Sequence, residues 1–128
     1  VFKPVTLFSL LAAAVVVLHL GARVSVDVYP RVVMAPASVR VIAKVTPHPD
    51  NRLLRISLDC PNFYDATEIE LEGLNAPITH GASGDRGVIE GIPAGECEVL
   101  AQVVTADGKV IQSTAVTLIV AGGEPDAR

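Results

Sequence analysis

From Ser38 onward, apolar and polar positions alternate with a period of two, the mark of half-buried β-strands. Val39, Val41, Ala43 and Val45 alternate with Arg40, Ile42 and Lys44, and the run ends at a turn, Pro47-His48-Pro49-Asp50-Asn51. Leu54, Ile56, Leu58 and Cys60 then alternate with Arg55, Ser57 and Asp59 until Pro61-Asn62 breaks the pattern. Ile69 and Leu71 sit between Glu68, Glu70 and Glu72. A polar, glycine-rich stretch, residues 81–87, precedes a short strand at Val88-Ile89. Cys97, Val99, Ala101 and Val103 form the next inward row. Asp107-Gly108 predicts a hairpin turn of the primed type, followed by a last strand from Lys109 to Val120. Six or seven short strands and no convincing helix predict an all-β, antiparallel two-sheet sandwich over residues 38–121.

The chain before residue 38 behaves differently. Val5 to Ala22 is 18 residues without a charge, with Thr6, Ser9 and His19 as its polar side chains. As a helix it would span roughly 27 Å, against a bilayer core of about 30 Å. A cleaved export signal and a retained anchor compete here. Leu20 is too bulky for the −3 position of a cut after Ala22, so the expectation is an uncleaved anchor helix over residues 1–22. Arg23 to Ala37, with Pro30 and Pro36 and the alternation of Val24, Val26 and Val28, is expected to be an extended linker. It is too apolar for a flexible tether and is read either as a strip laid along a partner or as a semi-rigid stalk. Residues 122–128 are read as a flexible tail.

Composition fits this division. Half of the 128 residues are hydrophobic, aromatics are 4%, and the net charge is −4. With no basic cluster, nucleic acid is excluded as a partner, and the apolar content excludes an intrinsically disordered chain.

The run Gly91-Ile92-Pro93-Ala94-Gly95-Glu96-Cys97-Glu98-Val99, followed by Asp107-Gly108, resembles the last strands of bacterial immunoglobulin-like and fibronectin-type-III-like domains. There a Pro-Ala-Gly turn leads into Gly-x-Tyr-x-Val; here Cys97 stands at the Tyr position, which leaves open how that corner is pinned. The resemblance implies an immunoglobulin-like sandwich serving in binding, spacing or assembly. In that topology Cys60 would end the second strand and Cys97 begin the sixth, two strands running in the same direction and leaving the sulfurs roughly 20 Å apart. Two unpaired, buried thiols are therefore expected.

Candidate chemistry is sparse. His48 and His80 lack ligand spacing and are expected in exposed loops. His19, in the last turn of the apolar span, is either an interfacial imidazole or a ligand to haem or pigment. No nucleophile–base arrangement, phosphate loop or haem-attachment motif is present, so no enzyme activity, metal, small-molecule substrate or resident cofactor is expected. Two faces of opposite sign are expected instead: Arg40, Lys44 and Arg55 on one sheet, and Glu68, Glu70, Glu72, Glu98 and Gln102 on the other. Arg23, Val24, Val26, Val28, Tyr29, Phe63 and Tyr64 are the candidate partner contacts, with Phe63 and Tyr64 serving either as a cap on the sandwich or as an exposed anchor.

These readings lead to an accessory subunit of a multi-subunit membrane complex, respiratory or photosynthetic being the obvious hosts. Its partners would be integral membrane subunits and lipid. It would be single-pass in the cytoplasmic membrane, amino terminus inside and sandwich outside. The alternatives are a free-standing tethered adhesion or ligand-binding module, and a pigment- or haem-binding subunit using His19.

Overall fold

The computed structural model describes residues 23–122. The expected anchor over 1–22, with His19, and the expected tail beyond Gly122 lie outside the described residues. Among the described residues, no helix is long and apolar enough to cross a membrane.

The strands are β1 (Val24–Tyr29), β2 (Val32–Met34), β3 (Ala37–Val45), β4 (Asn51–Cys60), β5 (Phe63–Glu70), β6 (Thr79–Gly81), β7 (Val88–Ile92), β8 (Gly95–Thr105), β9 (Val110–Gln112) and β10 (Val116–Ala121). A 3-10 turn, Gly73–Asn75, follows β5, and a tight turn over Ala82–Asp85, with Ser83, Gly84 and Asp85 at positive φ, separates β6 from β7. They form two sheets. The first has β3 at its centre, with β1 on one side and β6 and β7 on the other; the second runs β2-β10-β8-β4-β5, with β9 also on β8.

Alternation dictates the layers, because successive side chains on a strand point to opposite faces. Val24, Val26 and Val28 of β1 and Val39, Val41, Ala43 and Val45 of β3 face inward. They meet Leu54, Ile56 and Leu58 of β4, Val99, Ala101 and Val103 of β8, and Leu118 and Val120 of β10. This core is built from short aliphatic chains, which is why few aromatics suffice.

The segment expected as a linker is part of this core. Val24 through Tyr29 pair residue by residue with Val45 through Arg40, so the sandwich begins at β1 and not at residue 38. The prolines punctuate the segment without keeping it out of a sheet. Pro30 lies between β1 and β2, where the chain passes from the first sheet to the second. Pro36 lies between β2 and β3, where it passes back.

Counting β1 as a strand also relocates the cysteines. Cys60 ends β4 and Cys97 lies near the start of β8, and β4 and β8 are antiparallel neighbours in one sheet. Asp59 faces Glu98 in that ladder, which puts the next pair, Cys60 and Cys97, side by side. They form a disulfide with Cα atoms 4.3 Å apart, so the expectation of two free thiols is overturned. The corner where Cys97 replaces Tyr is pinned covalently.

Two further details differ from expectation. At the tip of β8–β9 only Gly108, with φ 86°, takes a left-handed conformation, and Asp107 does not. Thr105 N–H donates to the Lys109 carbonyl and Gly108 N–H to the Thr105 carbonyl. The hairpin is thus a three-residue loop with glycine at the left-handed position, not a primed two-residue turn. The final strand is also split: Ser113 is buried, and its Oγ accepts the Ala101 N–H at 3.0 Å between β9 and β10.

Strands β6 and β7 are two halves of one interrupted strand. Thr79–Gly81 pairs with one half of β3 and Val88–Ile92 with the other. Residues 82–87 form the excursion between them. A Cβ on Gly81 would lie 2.7 Å from the Gly87 nitrogen, so the two ends of the excursion close only around glycine. The Asp85 carboxylate accepts the Gly81 N–H, and Ser83 N–H donates to Thr67 Oγ1 of β5, tying the excursion to the other sheet.

Candidate functional site

The outer face of the first sheet carries the strongest candidate site. Ser25, Asp27 and Tyr29 of β1 stand opposite Lys44, Ile42 and Arg40 of β3. With Arg31 they line a shallow groove of about 430 Å³ along β1. Arg31 Nη2 lies 2.6 Å from Asp27 Oδ1. That guanidinium hydrogen bond, with the Val28 N–H, holds the Asp27 carboxyl below its usual range. Among the described residues, Arg40 and Lys44 have no carboxylate partner. Tyr29 is 76% exposed beside Arg40. The groove is therefore a basic surface with an aromatic edge, suited to carboxylates or other anions.

The opposite face has the opposite sign. Glu68 and Glu70 of β5, Asp59 of β4, and Glu96 and Glu98 of β8 point outward from the second sheet. Asp59 and Glu98 are cross-strand neighbours of like charge, an arrangement that costs stability unless a cation lies nearby. Arg55 was expected on the basic face. Because β3 and β4 lie in different sheets, it sits on the acidic one, 3.1 Å from Glu68 Oε2. Glu72 lies beyond the end of β5 and is not part of that strand. At the β2–β10 edge, exposed Val32 and Met34 stand next to Ile119 and Ala121, giving the acidic face an apolar flank.

The structure disperses the candidate contact residues. Val24, Val26 and Val28 bury their side chains in the core. Arg23 turns inward, its Nε and Nη2 donating to Asn51 Oδ1 at 3.1 and 2.7 Å. Phe63 packs half-buried against the core, whereas its neighbour Tyr64 is exposed. Tyr29 and Tyr64 lie on opposite sheets. Sequence reasoning put Arg40 and Lys44 on a charged face but missed that Tyr29 and Arg31 join them, because β1 was not counted as a strand.

The histidines differ from each other. His48 stays partly exposed, its Nδ1 accepting the Asp50 N–H at 3.0 Å. His80, expected in an exposed loop, is instead 4% exposed on β6, and its Nε2–H donates to the Pro77 carbonyl at 2.8 Å. Among the described residues, no group of three His, Cys, Asp or Glu side chains could hold a metal ion.

No family model matches the sequence, and no curated protein matches it. Among solved structures, the fold is similar to a superoxide reductase (neelaredoxin) from Ignicoccus hospitalis. That match has 14% identity and a TM-score of 0.47, over 77% of this chain and 79% of that chain. By its name that neighbour is an enzyme. The expectation that this chain is not one rested on missing motifs alone and is not retained. A likeness this slight carries neither activity, substrate nor cofactor across.

Proposed function

We propose that this chain is an accessory subunit of a membrane assembly and that its immunoglobulin-like sandwich docks against neighbouring subunits through the outer face of the first sheet. The observation that carries the reading is the groove along β1, where Arg40 and Lys44 stand without carboxylate partners among the described residues, beside the exposed ring of Tyr29. Unpaired cations next to an aromatic make a surface that gains energy from an acidic partner. The immunoglobulin-like assignment draws support from the topology: β1 and β3 share one sheet, while β4, β8 and β10 form the other. The disulfide supports a place on the oxidising side of the membrane, and the apolar span Val5–Ala22 supports a single anchor.

The test is native mass spectrometry of the full chain purified from its own membranes in mild detergent. The expected result is an assembly with neighbouring subunits, held at low salt, that the double variant Arg40→Glu/Lys44→Glu fails to hold while keeping its fold. A monomer without partners, or an assembly indifferent to the double variant, refutes the proposal.

A further inference from the structure

We infer that the subunit docked in the basic groove is a second copy of this chain, seated by the acidic face of its second sheet, so that copies stack head to tail. The inference rests on reading the groove as a docking surface and goes on to name its occupant.

Three observations favour this partner over an unrelated one. The first is charge. The groove presents Arg40 and Lys44, unpaired among the described residues, and the opposite side of the same molecule presents Asp59, Glu96 and Glu98. The like-charged neighbours Asp59 and Glu98 lack a cation among the described residues, and a copy's groove supplies one. The second is spacing. Tyr29 faces Arg40 across the β1–β3 ladder, and Ile119 faces Glu96 across the β10–β8 ladder. Each face thus sets an apolar side chain beside a charge at one strand separation, about 4.8 Å, so aromatic meets aliphatic where cation meets carboxylate. The third is placement. The two surfaces lie on opposite sides of one sandwich, so one copy can be engaged on both at once. Such a contact is heterologous and yields rows, not a closed dimer.

The contact is small. Three strands about 4.8 Å apart and about 20 Å long cover roughly 300 Å², less than half of the about 800 Å² per partner in stable complexes. Association is therefore weak, salt-sensitive and dependent on high local concentration, as on a membrane.

The test uses the full chain in mild detergent, with unlabelled and 15N-labelled copies mixed and joined by a zero-length carboxyl–amine cross-linker. The expected products are mixed-isotope peptides linking Lys44 to Glu96 or Glu98. They should disappear at about 0.5 M salt, where screening reaches within a few ångströms, and fall about tenfold in Arg40→Gln, which keeps the reactive Lys44. Sedimentation then compares Arg40→Gln/Lys44→Gln with Glu96→Gln/Glu98→Gln. Neither variant should associate alone, and their mixture should give a 1:1 pair and nothing longer, which also shows that both are folded. Wild-type protein that stays monomeric at every concentration in low salt overturns the inference, as do mixed Lys44 cross-links whose yield is unchanged in Arg40→Gln. Loss of a different subunit from the Arg40→Glu/Lys44→Glu assembly, without self-association of the wild type, overturns the second copy while leaving the docking groove in place. Absence of both kinds of association removes both proposals.

Discussion

Removing the disulfide is the sharpest test of the strand order. The double variant Cys60→Ala/Cys97→Ala leaves the β4–β8 ladder its hydrogen bonds but frees a loop closed over a sequence separation of 37. The chain-entropy relation for a loop of that length gives about 4 kcal/mol at 25 °C. That is a large share of the total stability of about 5–15 kcal/mol typical of a small domain. With a urea slope of about 2 kcal/mol per molar, the unfolding midpoint should fall by about 2 M. The assay is equilibrium urea unfolding of the full chain in mild detergent, followed by circular dichroism, for wild type and variant. Wild-type protein should also be lighter than its reduced form by two hydrogens and yield a linked Cys60–Cys97 peptide. A midpoint unmoved by the double variant, or a wild-type mass showing two thiols, refutes the placement of Cys60 beside Cys97 and with it the neighbour relation of β4 and β8.

Three other outcomes follow from local geometry. Gly81→Ala forces a Cβ to 2.7 Å from the Gly87 nitrogen and should cost about 1–3 kcal/mol, read as a lower urea midpoint; wild-type stability in this variant would contradict the pinched excursion. Asn51, 1% exposed, accepts from Arg23 and donates to the Thr46 carbonyl at 3.1 Å. Asn51→Ala should cost about 1–3 kcal/mol, because a guanidinium and a carbonyl lose their partner, and Arg23→Ala in the same background should add little further loss. The Asp27 pKa is lowered on folding, so its stabilising contribution is present above the unfolded value of 3.8 and is lost as the pH falls through the lower folded value. The Asp27–Arg31 pair is well exposed, so Asp27→Asn should cost less than about 1 kcal/mol at pH 7 and nothing in strong acid; an equal cost at both pH values would contradict the ion pair.

Alternation alone revealed β3, β4 and β8, because each carries a strict row of inward aliphatics flanked by charges. It also revealed the excursion at 81–87, because glycines and polar residues cluster there. What it did not reveal depends on pairing partners, which a one-dimensional pattern does not contain. Val24, Val26 and Val28 alternate as cleanly as any strand, but Pro30 and Pro36 made the segment read as an extended strip. That one missing strand propagated. It placed Cys60 on a strand parallel to the one bearing Cys97, assigned Arg55 to the wrong sheet, and kept Tyr29 and Arg31 apart from Arg40 and Lys44. His80 was missed for a related reason: a three-residue strand gives no periodicity, and its burial comes from pairing with the inward-facing Ala43 of β3. The charge asymmetry between the two sides survived because most of its residues lie on strands whose parity was right.

The bridge between Cys60 and Cys97 has a mechanical meaning. It encloses β5, β6 and β7, whereas β1, β2, β3, β9 and β10 all lie outside the covalent loop. Tension entering through the amino-terminal side, where Arg23 leads into β1, therefore reaches the hydrogen-bonded β1–β3 ladder before any covalent tie. That ladder is the element that would peel first under load, and it is the one that carries the groove. A pull along the chain would open the docking surface before it loaded the disulfide.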